Sequence, residues 1–150
     1  MILKDKINED LKSAMKSGDK IRLETIRSIR ALILEFEKSG AGKELNAEEE
    51  IKLLSTAAKK RKDSIEQYRN AKREDLASKE EAELKILQEY LPEQLTEEEI
   101  FDEVKILAAN IGASAKEDFP KLMPQVMKEL KGKADGKLVK SAVEKILGIN

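Results

Sequence analysis

The sequence predicts an all-α protein, and three observations carry that prediction. Apolar residues recur at three- and four-residue intervals through most of the 150 residues. Strand formers are scarce, and no stretch alternates apolar and polar for long. Capping residues stand at the head of most periodic segments. With 40% hydrophobic residues, a chain of this length can build a core, so its 39% charged content reads as solvated helix faces rather than disorder.

The elements follow in order. Leu3, Ile7, Leu11, Ala14 and Met15 form a first apolar stripe, which stops at Ser17-Gly18. Asp19 is placed to cap a second helix carrying Ile26, Ile29, Ile33 and Phe36. That helix ends at the loop Ser39-Gly40-Ala41-Gly42, whose two glycines let the chain reverse. Asn46 with Glu49 opens a third helix with Ile51, Leu54, Ala58, Ile65 and Tyr68 on one face. The pattern slips at residues 70–75, and Leu76, Leu84, Leu87 and Leu91 then carry either a fourth helix or a continuation of the third. Leu91-Pro92 ends it, because the residue before proline is pushed away from helical angles.

Thr96 with Glu99 is a capping box for a fifth helix, which points Ile100, Val104, Leu107 and Ile111 inward and stops at Gly112. Ser114 with Glu117 offers another cap. The element after it must accommodate Pro120 and Pro124, which predicts a bent or broken start and regular helix over about residues 124–131. Gly132–Gly136 reads as a turn and Asp135 as a cap. The last helix turns Leu138, Val139, Ala142, Val143, Ile146 and Leu147 to a core. The organisation expected is a four-helix N-terminal domain at 1–91, a linker at 92–96 and a three-helix tail at 97–150.

Composition excludes several kinds of chemistry. There is no Cys and no His, hence no thiolate nucleophile, no imidazole base and no ordinary zinc site. No metal and no cofactor is expected, and no catalytic residue is identified. No apolar run approaches membrane-spanning length and no signal-peptide core is visible, so the expectation is a cytoplasmic protein with no membrane partner. The Glu48-Glu49-Glu50 and Glu97-Glu98-Glu99 trios fall in first helical turns, where acids favour the positive dipole end, and need no catalytic explanation.

Net charge is only −1, from 29 Lys+Arg and 30 Asp+Glu, but the charges are segregated along the chain. Residues 52–73 are basic, residues 92–120 acidic, and the last thirty basic again. Arg61 interrupts the apolar stripe of the third helix: it either lies along apolar surface and meets a carboxylate, or presents a fixed fork to phosphate. With Arg27, Lys62 and Arg73 it makes up a candidate second basic face.

The sharpest feature is Lys131-Gly132-Lys133-Ala134-Asp135-Gly136-Lys137. Gly132 and Gly136 let the backbone approach a partner, a helix start follows, and Lys128, Lys131, Lys133, Lys137 and Lys140 surround it. A phosphate backbone would meet both lysines and helix dipole there, unless Asp135 already holds the amides. An ordinary turn with solubilising lysines explains the same residues. No set of aromatics for stacking bases is present, so RNA would be held by shape and backbone.

The basic turn, followed by Leu138-Val139 and preceded by Met123 and Met127, resembles the tail of the GatB/YqeY family. Leu23-x-x-Ile26-Arg27, Arg61-Lys62-Asp63-Ser64, Arg73-Glu74-Asp75-Leu76, Tyr90-Leu91-Pro92-x-Gln94-Leu95 and Gly112-Ala113-Ser114 are similar to landmarks of its stand-alone YqeY-like members. The resemblance implies a helical N-terminal domain and a tail related to that of the tRNA-dependent amidotransferase B subunit. There the tail helps hold tRNA while Glu-tRNA(Gln) or Asp-tRNA(Asn) is amidated by other domains. It thus implies a non-catalytic tRNA-binding accessory protein, with an amidotransferase or another translation protein as a partner. Two other readings stay open: a helical protein–protein scaffold without RNA, and carbon–nitrogen ligase activity with glutamine as amido donor inside a larger complex. The oligomeric state is open as well. The chain departs from the family where glycine is frequent, at Pro120, Pro124 and Lys72; the last departure implies that the third and fourth helices run together.

Overall fold

A computed structural model describes residues 2–39 and 45–149. Among these the chain is helical throughout, without a strand. The helices are α1 (Leu3–Ser17), α2 (Lys20–Lys38), α3 (Ala47–Asn70), α4 (Glu74–Gln88), α5 (Glu97–Ile111), α6 (Phe119–Glu129) and α7 (Gly136–Ile146), with a 3₁₀ turn at Lys116–Asp118. They fall into two compact units, Met1–Pro92 and Glu93–Asn150.

In the first unit, α3 and α4 form an antiparallel hairpin, α1 packs on α2, and α2 also packs on α4. Ile7, Ile26, Ile29, Ile33, Leu54 and Leu87 are fully buried in its core. Local chemistry sets the helix ends. Gly18 closes α1 with φ +73, where a side chain would be strained. The Asp19 carboxylate accepts the Arg22 amide at 3.0 Å, and Asn46 accepts that of Glu49 at 2.9 Å. Both are the expected caps. The expected Gly40-Ala41-Gly42 turn lies outside the described residues.

Two expectations for this unit are corrected. The third and fourth helices do not run together: residues 71–73 break them, with Lys72 at φ +59. Lysine takes here the left-handed angle that glycine adopts freely, so the turn survives the substitution. Met15 is 58% exposed rather than part of the core stripe, because α1 turns only Leu3, Ile7 and Ala14 fully inward.

In the second unit α7 packs against both α5 and α6. Val104, Leu122, Val126, Val139 and Val143 are fully buried at the centre. Thr96 and Glu99 form the expected capping box and Gly112 the expected left-handed stop. Ile111 is 42% exposed rather than inward, since it sits in the last residue of α5 where the stripe has rotated off the core. The start of α6 also differs from expectation. The α-helix already begins at Phe119, with Pro120 in its first turn and Pro124 inside it, and ends at Glu129. Pro120 loses only an amide with no helical partner, and the 3₁₀ turn leads directly into the helix. No Ser114 cap forms; instead the Asp118 carboxylate reaches back to accept the amides of Ser114 and Ala115 at 3.0 and 3.1 Å, closing the 3₁₀ turn. Those bonds hold the Asp118 carboxyl below its usual range.

Candidate nucleic-acid interface

The tail turn is built by two helix ends and a strap. α6 ends at Glu129, and Leu130, almost fully buried, anchors the chain as it leaves. The Lys133 amide donates back to the Leu130 carbonyl at 2.9 Å, and Gly132 takes φ +78 to make that reversal. The segment before α5 then closes over the turn. Gln94 Nε2 donates to the Gly132 carbonyl at 2.6 Å and the Leu95 amide to the Lys133 carbonyl at 2.8 Å. Two carbonyls that a tight turn leaves outside any helix are thereby paired.

Asp135 then caps α7, its carboxylate accepting the Lys137 amide at 3.0 Å. The helix head is therefore not an open anion cradle: a carboxylate already sits on it. What the turn presents is side-chain charge. Lys128 lies in the last turn of α6, Lys131 and Lys133 in the reversal, and Lys137 and Lys140 one helical step apart on α7. All five lysines are exposed. Lys140 stands 3.8 Å from Glu144, an exposed pair one turn apart that holds the ammonium only weakly.

The glycines of the turn differ in their reasons. Gly132 is required by its backbone angle. Gly136 is not: a Cβ there would meet only the end of the Met127 side chain, at 4.0 Å.

The four residues of the second basic face are placed differently. The Arg61 guanidinium, 18% exposed, donates to Glu83, to Glu80 at 3.3 Å and to the Ser28 hydroxyl at 3.1 Å. The Ser28 hydroxyl in turn donates to the Thr25 carbonyl at 2.7 Å. Arg61 thus links α2, α3 and α4 and spends its fork on carboxylates. Arg73 pairs with its neighbour Asp75 at 3.1 Å, which holds the Asp75 carboxyl low. Arg27 is exposed on α2, and Lys62 is half-buried beside Arg61 on α3. The sequence alone assigned no role to Gln94, although the motif that contains it was visible; its polar amide two residues after Pro92 was the available signal.

Among the described residues no group of three or more acidic side chains is arranged to hold a metal ion, and no helix is long and apolar enough to cross a membrane.

Relatives of this chain carry one recurring name. The protein called Altered inheritance of mitochondria protein 41, mitochondrial, of Pyrenophora tritici-repentis is 36% identical over 147 residues, 95% of this chain and 80% of the relative. Its namesake in Kluyveromyces lactis is 36% identical over 137 residues, 87% of this chain and 68% of the relative. In Lachancea thermotolerans the match is 38% over 85 residues and spans less than half of the relative, 46%. These names correct the cytoplasmic location expected from the sequence, because the relatives are named as mitochondrial proteins. The features behind that expectation, no apolar run of membrane-spanning length and no signal-peptide core, do not single out one compartment. The family model described as Yqey-like protein matches residues 4–147, and the chain belongs to the YqeY-like family.

Proposed function

We propose that this chain is a non-catalytic tRNA-binding accessory protein, related through its tail to tRNA-dependent amidation. The observation that carries the reading is the basic turn: five exposed lysines, Lys128, Lys131, Lys133, Lys137 and Lys140, in and on either side of one reversal held by Gln94 and Leu95. A pinned turn keeps the lysines on and beside it close together, which suits contact with a phosphate backbone. With Asp135 on the head of α7, the lysines rather than the helix amides do the holding.

The test is fluorescence anisotropy of unfractionated tRNA with the purified protein, with Lys133, Lys137 and Lys140 exchanged for Glu in a parallel variant. Binding is expected to saturate, to fall with salt at a log–log slope on the order of −3 for about four phosphate contacts, and to be lost in the variant. Equal binding by a variant whose circular dichroism is unchanged would remove the site.

A second reading, a scaffold that docks a protein, draws on exposed apolar residues of the tail, Ile106 at 55% and Met127 at 44%. A partner retained after nuclease treatment and insensitive to the triple exchange would favour it.

A further inference from the structure

The first unit carries a groove that the tail reading does not use. α2 and α3 both pack on α4, and between them lies an open cleft of about 580 Å³. Its walls are Ile29, Leu32 and Phe36 from α2 and Leu53 and Ala57 from α3, and Leu87 of α4 lines it too. Phe36, which follows Ile26, Ile29 and Ile33 in the apolar periodicity of α2, is only half-buried and lines this cleft. On α3, Leu53 and Ala57 flank the core stripe of Leu54 and Ala58, so that helix offers apolar surface in two directions.

The rim is charged. Lys52 and Lys60 stand eight residues apart on α3, about 12 Å along the axis. Glu49 is the acidic residue on the same rim. Arg61 reaches the cleft as well, but its charge is met by Glu80 and Glu83. The cleft therefore combines an apolar body with an excess of positive charge at its edge.

We propose that this groove binds a single-chain amphipathic carboxylate, taken up as a monomer, with its chain along Leu32, Phe36, Leu53 and Ala57 and its head at Lys52 or Lys60. The lining favours this occupant: an apolar body suits a hydrocarbon chain, and the lysines at its edge suit a carboxylate. Small-ligand sites run from roughly 300 to 1,000 Å³. The inference is independent of the tail's lysines.

The test is a titration of the ¹⁵N-labelled full chain with decanoate, kept below micelle formation, followed by NMR. Saturable shifts are expected at Leu32, Phe36, Leu53 and Ala57. Affinity should rise about three- to fourfold per methylene from hexanoate to decanoate. Decyl alcohol should bind several-fold more weakly. Exchanging Lys52 and Lys60 together for Glu should weaken decanoate about tenfold and leave the alcohol unaffected; both positions are exposed, so the fold is retained. Leu32→Ser should weaken both ligands alike. The Lys133/Lys137/Lys140 exchange should change neither, which separates this test from that of tRNA binding. Shifts spread over both units, equal affinity for acid and alcohol, or binding of an acidic helical peptide but not of decanoate would each overturn the proposal.

Discussion

Gln94 donates its side-chain amide to the carbonyl of Gly132 across 38 residues of sequence, at 2.6 Å. With the Leu95 amide on Lys133 beside it, the approach to α5 becomes a strap over the basic turn. Gln94→Ala would leave the Gly132 carbonyl without this donor and should cost about 1 kcal/mol of stability. Urea unfolding measures the loss, and faster amide exchange at Leu95 would locate it at the strap. Unchanged exchange there would show that the strap does not hold the turn.

Arg61 makes a different prediction, because its main partner is buried. The Glu83 side chain is 10% exposed and shares the guanidinium with Glu80. Arg61→Ala strands a carboxylate among α2, α3 and α4, and should destabilise by about 3 kcal/mol. Joining it with Glu83→Leu removes the stranded charge and should recover most of that loss. A double variant no more stable than the single one would mean that Glu83 finds water or another partner.

This contrast shows what the sequence could carry. Asp19, Asn46, Thr96 with Glu99, and Asp135 were legible as caps because a cap is a bond to an amide two or three residues away. Gly18 and Gly112 were legible for the same reason of locality. Arg61 stood out as a charge in an apolar stripe, yet its partners lie 19 and 22 residues on, beyond a break, and no periodicity names them. The strap at Gln94 and the cleft between α2 and α3 depend on tertiary placement in the same way. Pro124 was misread because proline is costly in an isolated helix, whereas here Leu122 and Val126 on either side are fully buried and fix the helix across it.

Lys72 tests the break itself. At φ +59 a lysine carries the strain of its Cβ, which glycine does not. Lys72→Gly should stabilise the chain by about 0.5–1 kcal/mol, the relieved strain exceeding the extra freedom of the unfolded state. Lys72→Val, branched at Cβ, should destabilise by at least as much. Thermal unfolding of the two variants decides the matter, and a glycine variant less stable than the parent would contradict the strained turn.

The pair of Arg22 and Glu89 makes stability depend on pH in a definite direction. Two hydrogen bonds, at 2.8 and 3.1 Å, join the start of α2 to the end of α4. The guanidinium holds the Glu89 carboxyl below its ordinary 4.5, against the opposing effect of partial burial. A carboxyl lowered on folding stabilises the folded state fully above its unfolded value and loses that contribution as pH falls through the folded one. The pair is half-exposed and screened, so Arg22→Met should cost only about 0.5 kcal/mol at neutral pH. That difference should shrink with added salt and vanish once the pH lies well below the lowered value. Urea unfolding of parent and variant across the acid range measures it. A difference that stays constant into acid would assign the loss to the packing of the arginine stem rather than to its charge.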